Sequence, residues 1–133
     1  MNSTVRAAPS FPTELPKVEG ARLARQQGAA TIARLNDELR RNLATGDVML
    51  TAGIRALPPA QLRAVLACVR RHDDFTPDND PNGERDFCAL ELEGPGRIFW
   101  KIDYYDPTLT FGSENPADPT RTRRVLTIML AEE

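Results

Sequence analysis

Fourteen residues near the middle of the chain, 73–86, limit what can be built on either side of them. They hold six carboxylates, two prolines and one glycine, with Phe75 the only aromatic among them. Proline removes a backbone donor and fixes φ, and it suits neither a helix interior nor a central strand. The segment is therefore a loop, and a structureless stretch of this length in a small domain is functional or disordered. Phe75 argues for an ordered one. With 133 residues and 14.8 kDa, the chain amounts to one domain.

Before the loop, apolar residues recur at helical spacing. Ile32, Leu35, Leu39 and Leu43 share one face of a helix expected over residues 29–45, with Arg34, Asp37, Glu38, Arg40 and Arg41 on its other faces. Gly46 is placed to end that helix in the left-handed region. Val48 to Thr51 read as a short buried strand. Pro58 and Pro59 then open a second helix along Leu62, Val65, Leu66 and Val69, with Arg70 and Arg71 in its last turn, where positive charge suits the helix dipole.

After the loop the period changes to two. Residues 87–93 and 97–105 alternate like strands around Gly94-Pro95-Gly96, which predicts an antiparallel hairpin. Ile98, Trp100, Ile102 and Tyr104 fall on one face, and Lys101, Asp103 and Tyr105 on the other. Leu109 and Phe111 suggest a further short strand. For the last segment, Asp118-Pro119 resembles a helix start, and Thr122, Val125, Leu126, Met129 and Leu130 share a helical face. The expected fold is α+β: a small antiparallel sheet of three or four strands with about three helices, in the order α-β-α-β-β-(β)-α. Residues 1–20, with Pro9, Pro12 and Pro16, read as a disordered tail, and residues 21–133 as a single globular domain.

Charge is unevenly spread. Residues 1–72 carry eleven basic and five acidic side chains, whereas residues 73–119 carry three basic and twelve acidic ones. An acidic segment of this kind repels phosphate backbones and attracts a basic protein surface or a cation. No apolar run approaches the ~18 residues of a membrane span, no secretory leader is visible, and two cysteines do not make a disulfide scaffold. The expected setting is the cytoplasm with both thiols reduced. No nucleic-acid-binding motif is present.

Two chemistries compete for the loop. As a metal site, Asp78, Asp80, Asn82 and Gly83 match the opening of a calcium loop, with Glu84 and Asp86 as further ligands. The twelfth position of that motif is Ala89 instead of a bidentate Glu, which breaks the match. Calcium or magnesium is the cofactor on this alternative, and none on the leading one. As a protein-binding face, Asp73, Asp74, Asp78, Asp80, Glu84 and Asp86 join Asp103, Tyr105 and Asp106 from the neighbouring strand and turn. A third reading has the Asp and Asn side chains satisfying backbone groups inside the loop. His72, the one histidine, stands beside Asp73 and Asp74, which favour its charged form. It has no nucleophile in an identifiable motif, so no catalytic set is assigned.

The strings HDDFTPDNDPNGERDF (72–87), FWKIDYYD (99–106) and TRRVLTIML (122–130) resemble a small uncharacterised bacterial family, a domain of unknown function found in alphaproteobacteria and on mobile elements. The resemblance spans roughly residues 30–133 and implies no activity, cofactor or catalytic residue. In that family pattern a histidine commonly stands where this chain has Arg85, and aromatic residues occur at the position of Asn82. The resemblance thus argues against an essential histidine there and against Asn82 as a calcium ligand. The leading expectation is a non-enzymatic interaction protein with an acidic face. On a mobile element, it would serve as an inhibitor of a host nuclease or defence complex.

Overall fold

The computed structural model describes residues 14–133, with side chains from residue 20 onward. Helix α1 (Glu14–Asn42) leads into strand β1 (Asp47–Leu50), the short helix α2 (Ala52–Arg55) and helix α3 (Pro59–Arg71). Strands β2 (Phe87–Leu92), β3 (Gly96–Tyr105) and β4 (Arg123–Leu130) follow the acidic loop. The sheet order is β1-β4-β3-β2. β2 with β3 and β3 with β4 are antiparallel, and β1 joins β4 in parallel at one edge. The fold is a small α+β domain.

The expected hairpin forms, with Cys88 opposite Trp100 and Leu90 opposite Ile98. Gly94 and Gly96, at φ 100° and 83°, supply the left-handed turn positions that residues with a Cβ rarely adopt. The expected second helix also forms, with Pro59 in its first turn and Val65 and Val69 fully buried. The core lies between the helices and one face of the sheet. Leu39, Ile54, Val65 and Val69 pack there against Ile98, Trp100, Ile102, Leu126 and Ile128.

Four expectations need correction. The helix predicted from residue 29 begins at Glu14, so residues 14–20 of the expected tail lie in α1, while residues 1–13 lie outside the described residues. That helix ends on Leu43 at φ 58° instead of on Gly46. Gly46 serves a close approach, since a Cβ there would sit 2.7 Å from the Arg124 carbonyl oxygen. The last segment is a strand and not a helix. Asp118 Oδ1 accepts from Thr120 N at 2.9 Å in a tight turn, and the chain then enters the sheet between β1 and β3. Leu109 and Phe111 form no strand. Asp106 Oδ1 accepts from Thr108 N and Thr110 N at 3.1 and 3.0 Å, which curls residues 106–112 into a turn with Phe111 71% exposed.

Candidate functional site

The acidic loop begins where α3 ends. Its first half is folded by its own side chains. Thr76 N donates to Asn79 Oδ1 at 2.7 Å, Asn79 Nδ2 donates to the Asp74 carbonyl at 2.9 Å, and Asp80 N donates to the Thr76 carbonyl at 2.8 Å. Its second half turns on Gly83 and Arg85, at φ 70° and 56°. Asp80 Oδ1 accepts from Arg85 N at 3.0 Å. Asn79 and Asp80 thus satisfy backbone donors, the usual work of such side chains in turns.

The loop is fastened to the body by buried polar side chains. Arg40 and Asn36 of α1 are completely buried, and Asp37 nearly so. Asp37 and Arg40, expected on faces of the helix other than its apolar one, are thus buried as well. Arg40 Nη1 donates to the Val69 carbonyl at 3.0 Å and to the His72 carbonyl, holding the last turn of α3. Its Nη2 donates to Asp37 Oδ1 at 2.6 Å. The guanidinium lies 5.1 Å from the Trp100 ring centroid and 5.3 Å from that of Phe75. Asp37 Oδ2 in turn accepts from Arg85 Nη1 at 2.8 Å. One carboxylate thus binds a helix arginine and a loop arginine together. Burial lowers the pKa of Arg40, opposed by the hydrogen bond and charge of Asp37.

A second knot lies beside it. Asn36 Nδ2 donates to the Glu84 carbonyl at 2.9 Å and to Tyr104 Oη at 2.8 Å, and Tyr104 Oη donates to Glu84 Oε1 at 3.0 Å. Arg124 Nε donates to Asn36 Oδ1 at 2.8 Å, and its Nη2 reaches the Pro116 carbonyl. Asn36 therefore joins α1, the acidic loop, β3 and β4. Burial pushes the Glu84 carboxyl above its ordinary value, with Asp86 and Asp80 adding repulsion. Burial also raises Asp86, helped by Asp80 and Asp103, and it raises the Tyr104 phenol.

The sequence-predicted residues separate into three groups. Asp73, Asp74 and Asp78 are exposed and make no side-chain hydrogen bond or ion pair among the described residues. Asp80, Glu84 and Asp86 are part-buried, and the charge of Asp80 adds to the burial that raises both Glu84 and Asp86. The strand residues are engaged elsewhere. Asp103 pairs with Lys101 at 3.1 Å along its own strand, Tyr105 lies opposite Arg123 on the outer face of the sheet, and Asp106 caps its own turn. Hydrogen bonds from the Thr110 backbone and the Thr108 side chain hold Asp106 below its ordinary value. Asn82 is exposed. Among the described residues no three His, Cys, Asp or Glu side chains are arranged to hold a metal ion.

His72 departs from its expected electrostatics. It caps α3, with its ring edge-on to Phe75 at 4.8 Å. Burial lowers its pKa, Arg40 lowers it further, and Asp74 and Asp73 only partly offset this. Both cysteines are free, Cys88 buried and Cys68 half-buried. An open groove of about 640 Å³ runs between α1 and the end of the loop, lined by Arg34, Asp37, Glu38, Arg41 and Arg85 among others. It mixes both charge signs.

Asn36, Asp37, Arg40 and Arg124 are the residues of the loop's scaffold least visible in the sequence. The signal was present in one place. Ile32, Asn36 and Arg40 are spaced four apart, so two polar residues continue a stripe that Ile32 begins and Leu39 and Leu43 border.

The geometry defines a class: a small α+β domain that displays an acidic loop on a buried scaffold of arginine, asparagine and tyrosine. Residues 50–133 match the DUF3768 family, described as a protein of unknown function, and the chain belongs to that family. No curated protein and no solved structure matches it. The matched segment contains the loop, Tyr104 and Arg124, whereas α1, with Asn36, Asp37 and Arg40, precedes it. No helix among the described residues is long and apolar enough to cross a membrane.

Proposed function

We propose that this protein is an interaction module whose loop 73–86 presents an acidic surface to a basic protein partner. The observation that carries the reading is the state of Asp73, Asp74 and Asp78. They are exposed and without side-chain partners among the described residues, on a loop whose backbone is fixed by its own hydrogen bonds and by Arg40 and Arg85. A rigid display lowers the ordering cost of association. Unpaired like charges steer an oppositely charged partner and raise its on-rate at low salt. Asp80 and Asp86 reinforce the same field from behind. Asp103, Tyr105 and Asp106 are not assigned to this face, because their groups are engaged or lie on the outer sheet face. A host nuclease or defence complex, met by an inhibitor that imitates nucleic-acid charge, is the kind of partner this surface suits.

The test is affinity capture with the full chain and with the Asp73→Lys/Asp74→Lys/Asp78→Lys variant. The reading expects a basic protein that is retained at low salt, released by added salt and lost with the variant. An identical set of captured proteins from both baits overturns it.

A divalent cation is the competing ligand, because Asp80, Glu84 and Asp86 repel one another and a cation relieves that cost. Thermal unfolding in EDTA, then with excess calcium or magnesium, separates the two. Ligand at a hundred times its Kd stabilises by ~2.7 kcal/mol, a shift on the order of 10 °C for a domain of this size. A shift of that size for one ion favours the metal reading.

A further inference from the structure

The groove between α1 and the end of the acidic loop holds more positive charge than its carboxylates neutralise. Arg34, Asp37, Glu38, Arg41 and Arg85 line it, and Arg40 is bonded to Asp37 from the buried side. Four guanidinium groups thus accompany two carboxylates. Both oxygens of Asp37 are engaged. Oδ1 accepts from Arg40 at 2.6 Å, and Oδ2 accepts from Arg85 at 2.8 Å. Glu38 is exposed and stands one turn from Arg34 and Arg41, yet it forms no ion pair among the described residues. The crowding of charge is felt at Arg40. Burial lowers its pKa, Asp37 opposes the shift, and the charges of Arg41 and Arg85 lower it further.

A guanidinium carries five N–H donors, and most of those in the groove are free of protein partners. Arg34 makes no side-chain hydrogen bond or ion pair among the described residues. Arg41 comes only to 3.8 Å from Asp37, beyond hydrogen-bond length. Arg85 uses Nη1 alone. The Arg41 and Arg85 side chains are 57% and 38% exposed, so a ligand can reach them. Planar forks of this kind match the oxygens of a phosphate in pairs. The groove holds about 640 Å³, within the ~300–1,000 Å³ of small-molecule sites. A second groove of about 460 Å³ joins it at Ala30, Gly83 and Arg85, with Phe75, Pro77 and Pro81 as apolar walls. Asp80 also lines that groove and accepts from Arg85 N at 3.0 Å.

We propose that this site binds the phosphate group of a small ligand, with Arg34, Arg41 and Arg85 as donors. Asp73, Asp74 and Asp78 line neither groove, but their field opposes a long polyanion, which favours a small ligand over a nucleic-acid strand. Inorganic phosphate and a nucleotide share this chemistry, and a nucleotide adds a flat body for the apolar groove. The site uses none of the three free aspartates of the acidic surface, so it stands independently of that reading.

The experiment is an NMR titration of the isotope-labelled full chain with inorganic phosphate, adenosine monophosphate and acetate at constant ionic strength. Both phosphate probes are expected to shift the Arg34 and Arg41 side-chain signals with saturation, and acetate is not. Arg34→Gln/Arg41→Gln is expected to weaken binding on the order of tenfold or more, the size of a lost charged hydrogen bond. Glu38→Gln, which removes the competing carboxylate, should tighten it. Arg55→Gln/Arg63→Gln removes two exposed charges outside both grooves and should bind like the wild type. Tighter binding of the nucleotide assigns its body to the second groove, and equal binding assigns the site to phosphate alone. Four results overturn the proposal: no saturable shift with either phosphate probe, an equal response to acetate, binding retained in Arg34→Gln/Arg41→Gln, or an equal loss in Arg55→Gln/Arg63→Gln.

Discussion

On the covered face of the sheet, Arg40, Asn36 and Arg124 lie fully or almost fully buried; on the open face, Met49 and Phe87 stand about half exposed. These five side chains depart from a simple inside-outside rule, although the core beside them is apolar. The buried polar groups fasten chain segments that the apolar core does not reach. Arg40 holds the end of α3 and, through Asp37 and Arg85, the acidic loop. Arg124 holds residue 116 and Asn36. The covered face thus uses polarity to set position, and on the other face no element among the described residues covers Met49 and Phe87.

Truncating Arg40 is expected to have the largest effect. Arg40→Ala removes donors to two α3-end carbonyls and leaves the buried Asp37 carboxylate with Arg85 and the more distant Arg41. Breaking a buried ion pair from one side costs about 3–5 kcal/mol, a large share of a typical domain's 5–15 kcal/mol. Urea unfolding followed by circular dichroism measures it. A loss below about 1 kcal/mol would mean that the covered face does not depend on its charges.

Arg124→Ala is expected to cost somewhat less, about 2–3 kcal/mol, since it removes charged hydrogen bonds to Asn36 and Pro116 and the contact with the Tyr104 ring at 5.2 Å. Hydrogen exchange should show the loss concentrated in residues 113–122 and the end of α1. Uniform loss across β2 would contradict the local role.

These buried polar residues also explain what the sequence concealed. The hairpin was legible because Ile98, Trp100 and Ile102 alternate cleanly and glycines flank the turn proline. α3 was legible because Val65 and Val69 repeat at helical spacing without a polar interruption. In β4 the inward positions include Arg124, Leu126 and Ile128. An arginine there breaks the apolar alternation, so the helical spacing of Val125, Leu126 and Met129 looked stronger than the strand pattern. α1 hid Asn36 and Arg40 in the same way, and with them the scaffold of the site. The loop was legible as a loop. Which of its carboxylates remain free was not, because that depends on how the loop folds back, which brings Tyr104 Oη to Glu84 and Arg85 N to Asp80.

The next effect is pH-dependent and smaller. Burial raises Glu84 above 4.5 and Asp86 above 3.8, so the folded state favours their protonated forms. Their contribution is fully present below the unfolded values and is lost as pH rises through the folded ones. His72 acts in the opposite sense. Its pKa is lowered from 6.5, so its contribution is present above that value and lost as pH falls through the folded one. Glu84→Gln keeps an oxygen to accept from Tyr104 and removes the buried charge. It is expected to melt higher than the wild type at neutral pH, with the gain shrinking as pH falls toward 4.5. Equal melting differences at neutral and acid pH would mean that the Glu84 charge is not the cause.

The smallest effect on the fold is expected at Phe87, and its form separates the two faces most directly. Phe87→Asp removes an aromatic that is 45% exposed and outside the core cluster. Its unfolding free energy is expected to stay within about 0.5 kcal/mol of the wild type, the usual range for a surface change, as urea unfolding measures. Arg40→Ala should melt well below Phe87→Asp, because the contacts it breaks are buried. A Phe87→Asp deficit above about 1 kcal/mol would place Phe87 among the residues that hold the fold together, and the contrast between the two faces would be lost.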